Sequence, residues 1–171
     1  AAEAGSEHPL AQAVTRLATT EGIDWPKVED FASLTGLGVE ARVEGRTVLV
    51  GAERLMQRAG IATAALAEAA ERLATAGRTP LYAAVDGRLV ALLGVADPLK
   101  PGAAQAVAAL HALGIETAMV TGDNRATAAA IARELGIDRV TAEVMPDGKV
   151  AAVQALKAAG RLAFVGDGIN D

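Results

Sequence analysis

The sequence contains no cysteine, few aromatic residues and no long apolar run, and each absence excludes a class of site. Without cysteine the chain has neither a disulfide framework nor a thiolate metal site. Aromatic residues make up only 2%, so a binding site here cannot rely on several stacking rings. Apolar runs such as residues 89–96 are far shorter than the roughly 20 residues that cross a bilayer. Because no signal peptide opens the chain either, we expect a soluble, cytoplasmic polypeptide.

Positive charge is also scarce. The formal net charge is −5 and no basic tract occurs, which argues against nucleic acid as the main partner. Apolar residues make up 51% of 171 residues, enough for the core of one domain or two small ones. The first residues already have a helical pattern and the last ones form a motif, so we expect a monomeric piece of a longer protein.

The first half, residues 1–95, predicts an α+β domain with an antiparallel sheet. A helix is expected to begin near Pro9, where proline is favoured. Two stretches with alternating apolar and polar residues turn at residues 44–45 and 86–87, which is typical of β-hairpins. Helices closed by glycine lie between the two hairpins.

The second half, residues 96–171, predicts a Rossmann-like domain with a parallel sheet. Short apolar strands are expected at residues 115–120, 138–144 and 161–165, and helical patterns separate them. The fold class is therefore α/β as a whole. Ligands of such sheets bind at the carboxyl ends of the strands, which is where the polar motifs of this half lie.

The first polar motif is the stretch TGDN, residues 121–124. Thr121 and Gly122 follow a strand and precede a helix, so a hydroxyl and backbone N–H groups are available for a phosphate. The alternative is an ordinary strand-to-helix turn in which Asp123 or Asn124 caps the helix.

The second polar motif is GDGIND, residues 166–171. Asp167 is well placed for Mg²⁺, which prefers carboxylates together with water and phosphate oxygens. Asp171 is expected to orient the metal's waters, and Asn170 to donate to a phosphate oxygen. The alternative is a simple Asp-Gly turn. Between the two motifs, Lys149 is a candidate for neutralising phosphate charge, or else a solvated helix lysine.

Candidates in the first half are weaker when taken alone. His8 precedes Pro9 and could simply cap the helix. Gly36 and Gly38 form a G-x-G pattern that could be a loop before a strand, and Gly51 could be a chain reversal. His111 is assigned no role.

Together, the motifs SEHPLA, GLGV, VLVG, DPLK, TGDN, MPDGK and GDGIND, in this order, resemble the heavy-metal-transporting P-type ATPases. The resemblance covers the whole chain. The Glu-His-Pro form and AFVGDGIND look most like the copper-exporting members, although zinc and cadmium transporters share much of the pattern.

The resemblance implies an ATP-binding domain at residues 1–95 and part of a haloacid-dehalogenase-type phosphorylation domain at residues 96–171. It assigns roles to individual positions. For the nucleotide these are Glu3 at the adenine, His8, the glycines Gly36, Gly38 and Gly51, Asp97 with Lys100 in a hinge motif, and Gly122, Asp123 and Asn170. For phosphate they are Thr121 and Lys149, and for Mg²⁺ Asp167 with Asp171. Ala52 stands where the family often has asparagine, which removes one side-chain hydrogen bond to the nucleotide.

The nucleophile of this family, the aspartate of a DKTGT motif, does not occur in these 171 residues. We therefore expect the chain to bind ATP without phosphorylating itself. Its partners are then the nucleotide and the actuator and transmembrane parts of a pump, at the cytoplasmic face of a membrane. For these residues, a nucleotide-binding module without catalysis is therefore the expected description. Two alternatives stay open: a zinc- or cadmium-transporting P-type ATPase, and a free-standing phosphatase of the same superfamily with Asp97 as nucleophile.

Overall fold

The computed structural model describes residues 1–2, 9–96, 99–158 and 160–166. Contacts between residues divide the chain into two units. The first contains residues 1–73 and 80–95, and the second contains residues 74–79 and 96–171. Within the described ranges, no helix has both the length and the apolar character that a membrane span requires.

The first unit is built on an antiparallel sheet of five strands in the order β1-β2-β3-β4-β5. The sequence predicts the antiparallel character of this sheet and its two hairpins. Its strands are β1 (Val28–Leu34), β2 (Gly38–Val43), β3 (Arg46–Gly51), β4 (Thr79–Val85) and β5 (Arg88–Val95). The first residue of β4, Thr79, is grouped with the second unit. Its helices are α1 (Pro9–Thr20), α2 (Glu53–Arg58) and α3 (Ala67–Thr75), the last preceded by a 3₁₀ turn at Ala64–Leu66. The sequence pattern did not predict β1, because five of its seven side chains are exposed and no alternation marks it.

Both predicted hairpins form, and their turns explain why. Residues 44–45 and 86–87 all have positive φ, the backbone of the type I′ turn that matches the twist of paired strands. The second turn is also tied to the first hairpin. The Asp86 carboxylate accepts hydrogen bonds from Arg46 Nε at 2.8 Å and from the Thr47 N–H at 3.0 Å. These two bonds hold the pKa of Asp86 below its usual value.

The sheet of the first unit carries a buried apolar cluster on each face. One cluster joins α2 and α3 to β4, and Met56 at its centre has no exposed surface. The other contains inward-facing residues of β2 and β3 together with Ala2. An apolar cleft of about 160 Å³ adjoins this second cluster, and α1, Trp25 and Leu93 contribute to its lining.

The second unit contains a small parallel sheet, which confirms the parallel character expected from its sequence. The strands β6 (Ala118–Val120) and β7 (Arg139–Thr141) pair in parallel register. The helices are α4 (Ala103–Ala112), α5 (Arg125–Leu135) and α6 (Lys149–Lys157), with a 3₁₀ turn at Pro146–Gly148 before the last.

Two expectations for this unit were wrong. Residues 161–166 have no regular structure, although an apolar strand was predicted at 161–165. β6 is three residues long and only partly buried, rather than a buried strand beginning at Ile115. A strand needs a neighbour for its backbone groups, and no described segment pairs with residues 161–166. Phe164 and Val165 there are 56% and 90% exposed.

Candidate functional site

Three of the glycines predicted to serve a nucleotide meet at one end of the first sheet. Gly36 lies in the turn between β1 and β2, Gly38 is the first residue of β2, and Gly51 is the last residue of β3. Gly38 and Gly51 are direct partners across the two strands. The chain is also fastened here by a hydrogen bond of 2.9 Å from the Ala52 N–H to the Leu37 carbonyl.

The backbones of Gly38 and Gly51 approach so closely that neither position tolerates a side chain. A Cβ on Gly38 would lie 2.6 Å from Gly51 Cα, and a Cβ on Gly51 would lie 2.8 Å from Gly38 Cα. Gly36 is exposed, Gly38 is half-buried and Gly51 is buried. A ligand can therefore reach Gly36 and Gly38, whereas Gly51 acts by permitting the close approach of the two strands.

The TGDN stretch forms a loop that is closed by its own side chains. Thr121 Oγ1 donates to Asp123 Oδ2 at 3.0 Å and accepts from the Asp123 N–H at 3.1 Å. Asn124 is the N-cap of α5, since its Oδ1 accepts the Thr127 N–H at 3.0 Å. The helix-capping alternative is thus correct for Asn124, while the exposed Gly122 and the half-buried Thr121 stay at the tip of the loop.

Two further hydrogen bonds fasten this loop and the start of α5 to residues 78–79 of the same unit. Thr79 Oγ1 donates to Asp123 Oδ1 at 3.1 Å. The Thr127 hydroxyl, which is almost completely buried, donates to the Arg78 carbonyl at 3.2 Å. Sequence reasoning missed Thr79, because it lies 44 positions from Asp123 and belongs to no motif.

The start of α6, where Lys149 lies, is connected to the loop through the preceding segment. The Glu143 N–H donates to the Asp123 carbonyl at 2.8 Å, and the Val144 N–H donates to the Thr121 carbonyl at 3.0 Å. The 3₁₀ turn follows, and Lys149 is the half-buried first residue of α6. The structure therefore brings the backbone leading to Lys149 against the TGDN loop.

Lys100 of the hinge motif is described and exposed. The other predicted site residues lie outside the described part of the chain. They are Glu3, His8, Asp97, Asp167, Asn170 and Asp171. Among the residues that the structure describes, no group of three histidine or acidic side chains is arranged to hold a metal ion.

A separate polar cluster links the end of α4 to the strands of the second unit. Asp138 Oδ2 accepts from the Thr117 N–H at 2.7 Å and from its hydroxyl at 2.9 Å, and it lies 2.9 Å from His111 Nε2. These partners, Thr117 foremost, lower the pKa of Asp138 to about 2. His111, to which the sequence assigned no role, therefore has a structural one.

Comparison with relatives supports the resemblance that the motifs indicated. Copper-transporting ATPase 1 of Rhizobium meliloti (strain 1021) is 53% identical over 170 residues, which cover 99% of this chain. Copper-transporting ATPase 2 of the same organism is 51% identical over 167 residues and 97% of the chain. The chain spans only 21% and 20% of those two proteins, about a fifth of their length.

Solved structures agree with the fold. A zinc-transporting PIB-type ATPase in the E2.Pi state matches 100% of this chain with 38% identity and a TM-score of 0.58, over 27% of its own chain. The catalytic domain of the CPx-ATPase CopB-B matches 99% with 22% identity and a TM-score of 0.71, over 59% of that chain. At that identity the second likeness shows the fold alone.

The family model described as a haloacid dehalogenase-like hydrolase matches residues 1–171. With the parallel β6–β7 sheet, the TGDN loop after β6 and these relatives, this match settles the family. The chain belongs to the haloacid dehalogenase-like hydrolases, and its resemblance to the heavy-metal-transporting P-type ATPases is confirmed.

Proposed function

We propose that this chain is the ATP-binding part of an ATP-driven heavy-metal pump that exports Cu⁺, and that it acts at the cytoplasmic face of the membrane. The observation that carries the proposal is the identity of 53% and 51% to two copper-transporting ATPases over nearly the whole chain. Because the chain spans a fifth of those proteins, the actuator and transmembrane parts would come from the rest of a longer protein.

In this proposal residues 1–95 recognise the nucleotide. The exposed Gly36 and the half-buried Gly38 present backbone without side chains at one end of the sheet, so a nucleotide can approach closely. Glu3 would contact the adenine, and His8 would contact the nucleotide, as the resemblance implies. Ala52, which follows Gly51, offers no side-chain hydrogen bond to the nucleotide. Backbone contacts must therefore supply more of the affinity for ATP.

Residues 96–171 would bind the phosphates of the nucleotide. The Thr121 hydroxyl and the Gly122 N–H bind a phosphate oxygen, and Lys149 offsets the negative charge that develops during transfer. A carboxylate oxygen of an aspartate elsewhere in the protein bonds to the γ-phosphorus while the bond to the bridging oxygen breaks, and ADP leaves. Hydrolysis of the resulting aspartyl phosphate would then be coupled to metal export.

Magnesium would neutralise phosphate charge in this reaction. The described residues of the TGDN loop offer it one carboxylate, Asp123, and both oxygens of that group already accept hydroxyl hydrogen bonds. Asp123 is therefore a poor ligand in this arrangement. The carboxylates assigned to the ion, Asp167 and Asp171, lie outside the described residues.

The transported metal has a second candidate. The zinc-transporting PIB-type ATPase matches the whole of this chain with 38% identity, so zinc or cadmium is the alternative cargo. Metal-stimulated ATP hydrolysis by the longer protein separates the two cases. Stimulation by Cu⁺ and not by Zn²⁺ supports the proposal, and the opposite result assigns the alternative.

A free-standing phosphatase is the second candidate function, and membership of a hydrolase family is the observation that favours it. Its nucleophile would be Asp97. The test is turnover of a generic phosphate ester by the chain and by its Asp97→Ala variant. Robust turnover that the substitution abolishes would overturn the pump proposal.

The main test is calorimetry with ATP and the 171-residue chain. We expect weak saturable binding, and about tenfold weaker binding by the His8→Gln variant, as one lost hydrogen bond to a charged ligand implies. His111→Gln is the matched control, since it makes the same chemical change in the cluster around Asp138. Absence of binding, or equal effects of the two substitutions, would contradict the proposal.

A further inference from the structure

We infer that Thr79 is a positioning residue for the phosphate-binding loop at residues 121–124. Its hydroxyl holds the Asp123 carboxylate in place while the Thr121 hydroxyl turns from that carboxylate to a phosphate oxygen. The inference rests on the phosphate-binding role proposed above for this loop. Thr79 lies in no motif that marks the chain, so the geometry alone assigns this role.

The hydroxyl of Thr121 is already engaged within the loop. A threonine hydroxyl has one proton to donate, and here the proton goes to Asp123 Oδ2 at 3.0 Å. The same oxygen accepts the Asp123 N–H at 3.1 Å. Thr121 can therefore donate to a phosphate oxygen only when it releases Asp123 Oδ2.

The release leaves a half-buried carboxylate that must keep a donor. Thr79 Oγ1 bonds the other carboxylate oxygen, Oδ1, at 3.1 Å, and this bond does not depend on Thr121. A carboxylate that lost both donors would carry a large desolvation cost next to the incoming phosphate charge. Thr79 lowers the free-energy cost of releasing Asp123 Oδ2 from Thr121, because it keeps a hydrogen bond to the other carboxylate oxygen before and after the release.

Thr79 is itself held on a rigid base. The Arg78 carbonyl accepts a hydrogen bond from the Thr127 hydroxyl at 3.2 Å, and Thr127 is only 1% exposed. The following residue, Pro80, restricts Thr79 to an extended backbone. A group that is fixed on both sides in this way can set the orientation of a loop, whereas a group on a loose segment cannot.

Three variants test the inference. Thr79→Val keeps the shape and removes the donor, whereas Thr79→Ser keeps the donor. Thr75→Val makes the same change at an exposed position at the end of α3. In the full-length protein, the measurements are the rate of phosphoenzyme formation from γ-³²P-labelled ATP and its dependence on ATP concentration. Calorimetry on the 171-residue chain gives the affinity for ATP.

We expect Thr79→Val to slow phosphoenzyme formation about tenfold, as the loss of one hydrogen bond to a charged group implies. The affinity for ATP should not change, because recognition of the nucleotide is assigned to residues 1–95. Thr79→Ser and Thr75→Val should behave as the wild type does. A general structural defect would instead lower the amount of folded protein and the affinity for ATP together with the rate. If Thr79→Val lowers the melting temperature, Thr79→Ala provides the same comparison without an added methyl group.

Each outcome has one meaning. Wild-type rates in both the valine and alanine variants, with a wild-type protein that does phosphorylate, overturn the inference and leave the proposed function intact. Equal loss in the valine and serine variants also overturns it, because the serine retains the donor. A wild-type protein that neither binds ATP nor forms a phosphoenzyme overturns the proposed function itself.

Discussion

Replacing Gly38 with alanine tests whether the close approach of β2 and β3 is as tight as the structure indicates. Gly38 has a φ of +145°, a backbone conformation that residues with a side chain rarely adopt. Its new Cβ would lie 2.6 Å from Gly51 Cα, and backbone cannot move aside as the end of a flexible side chain can. Both effects destabilise the first unit.

The magnitude follows from the two effects. An unfavourable backbone conformation costs about 1–3 kcal/mol, and overpacking costs a further 1–3 kcal/mol or so. We expect a loss of about 2–6 kcal/mol in the free energy of unfolding. Gly45→Ala is the matched control, since Gly45 has a φ of +72° and open space around it. That variant should lose only about 1–2 kcal/mol.

Urea unfolding followed by Trp25 fluorescence measures both changes. Trp25 is the single tryptophan of the sequence and lines the apolar cleft of the first unit, so its emission reports on that unit. A probe of one unit is needed because a chain of two units need not unfold in one transition. If Gly38→Ala loses no more stability than Gly45→Ala does, the close approach of β2 and β3 does not limit which residue can stand at position 38.

Three further predictions concern a core residue, a helix cap and the pH dependence of stability. Met56→Ala should cost about 2–5 kcal/mol by the same fluorescence assay, because the side chain is fully buried; a loss below about 1 kcal/mol would contradict this. Asn124→Ala should cost about 1–2 kcal/mol and speed hydrogen exchange of the Thr127 amide, which loses its cap; unchanged exchange would argue against the cap. Asp138 has a pKa of about 2, below its usual value of 3.8, so it stabilises the fold above pH 4 or so. That contribution disappears as the pH falls from about 4 to about 2, and the melting temperature of Asp138→Asn should change less over this range; parallel curves for variant and wild type would contradict it.

Turn chemistry made the two hairpins predictable. Residues 44–45 and 86–87 are acidic-glycine pairs with positive φ, and such pairs determine the type I′ turn locally. The end of α5 was predictable for the same reason, since Gly136 takes the left-handed conformation at its C-cap.

Pairing between distant segments was not predictable in this way. β1 is a strand only because it pairs with β2, and its exposed side chains leave no periodic pattern. Residues 161–165 have the apolar composition of a strand, yet no described segment pairs with them. Composition shows that a segment suits a sheet, while the partner decides whether a strand forms.

The candidate site shows the same division. Motif spacing identified Gly36, Gly38 and the TGDN loop, because each is a short local pattern. It could not show that Gly38 faces Gly51 across the hairpin, or that Thr79 bonds Asp123. Those contacts depend on the register of β2 with β3 and on where residues 78–79 lie against α5.

Binding of a nucleotide at the glycine end of the first sheet can be tested residue by residue with an ATP titration followed by two-dimensional ¹⁵N–¹H NMR. We expect the amide signals of Gly36 and Gly38 to shift along one saturating curve. The amide of Gly45, at the opposite end of the β2–β3 hairpin, should not move. Saturable shifts at Gly45, or none at Gly36 and Gly38, would show that the nucleotide does not bind at the glycine end of the sheet.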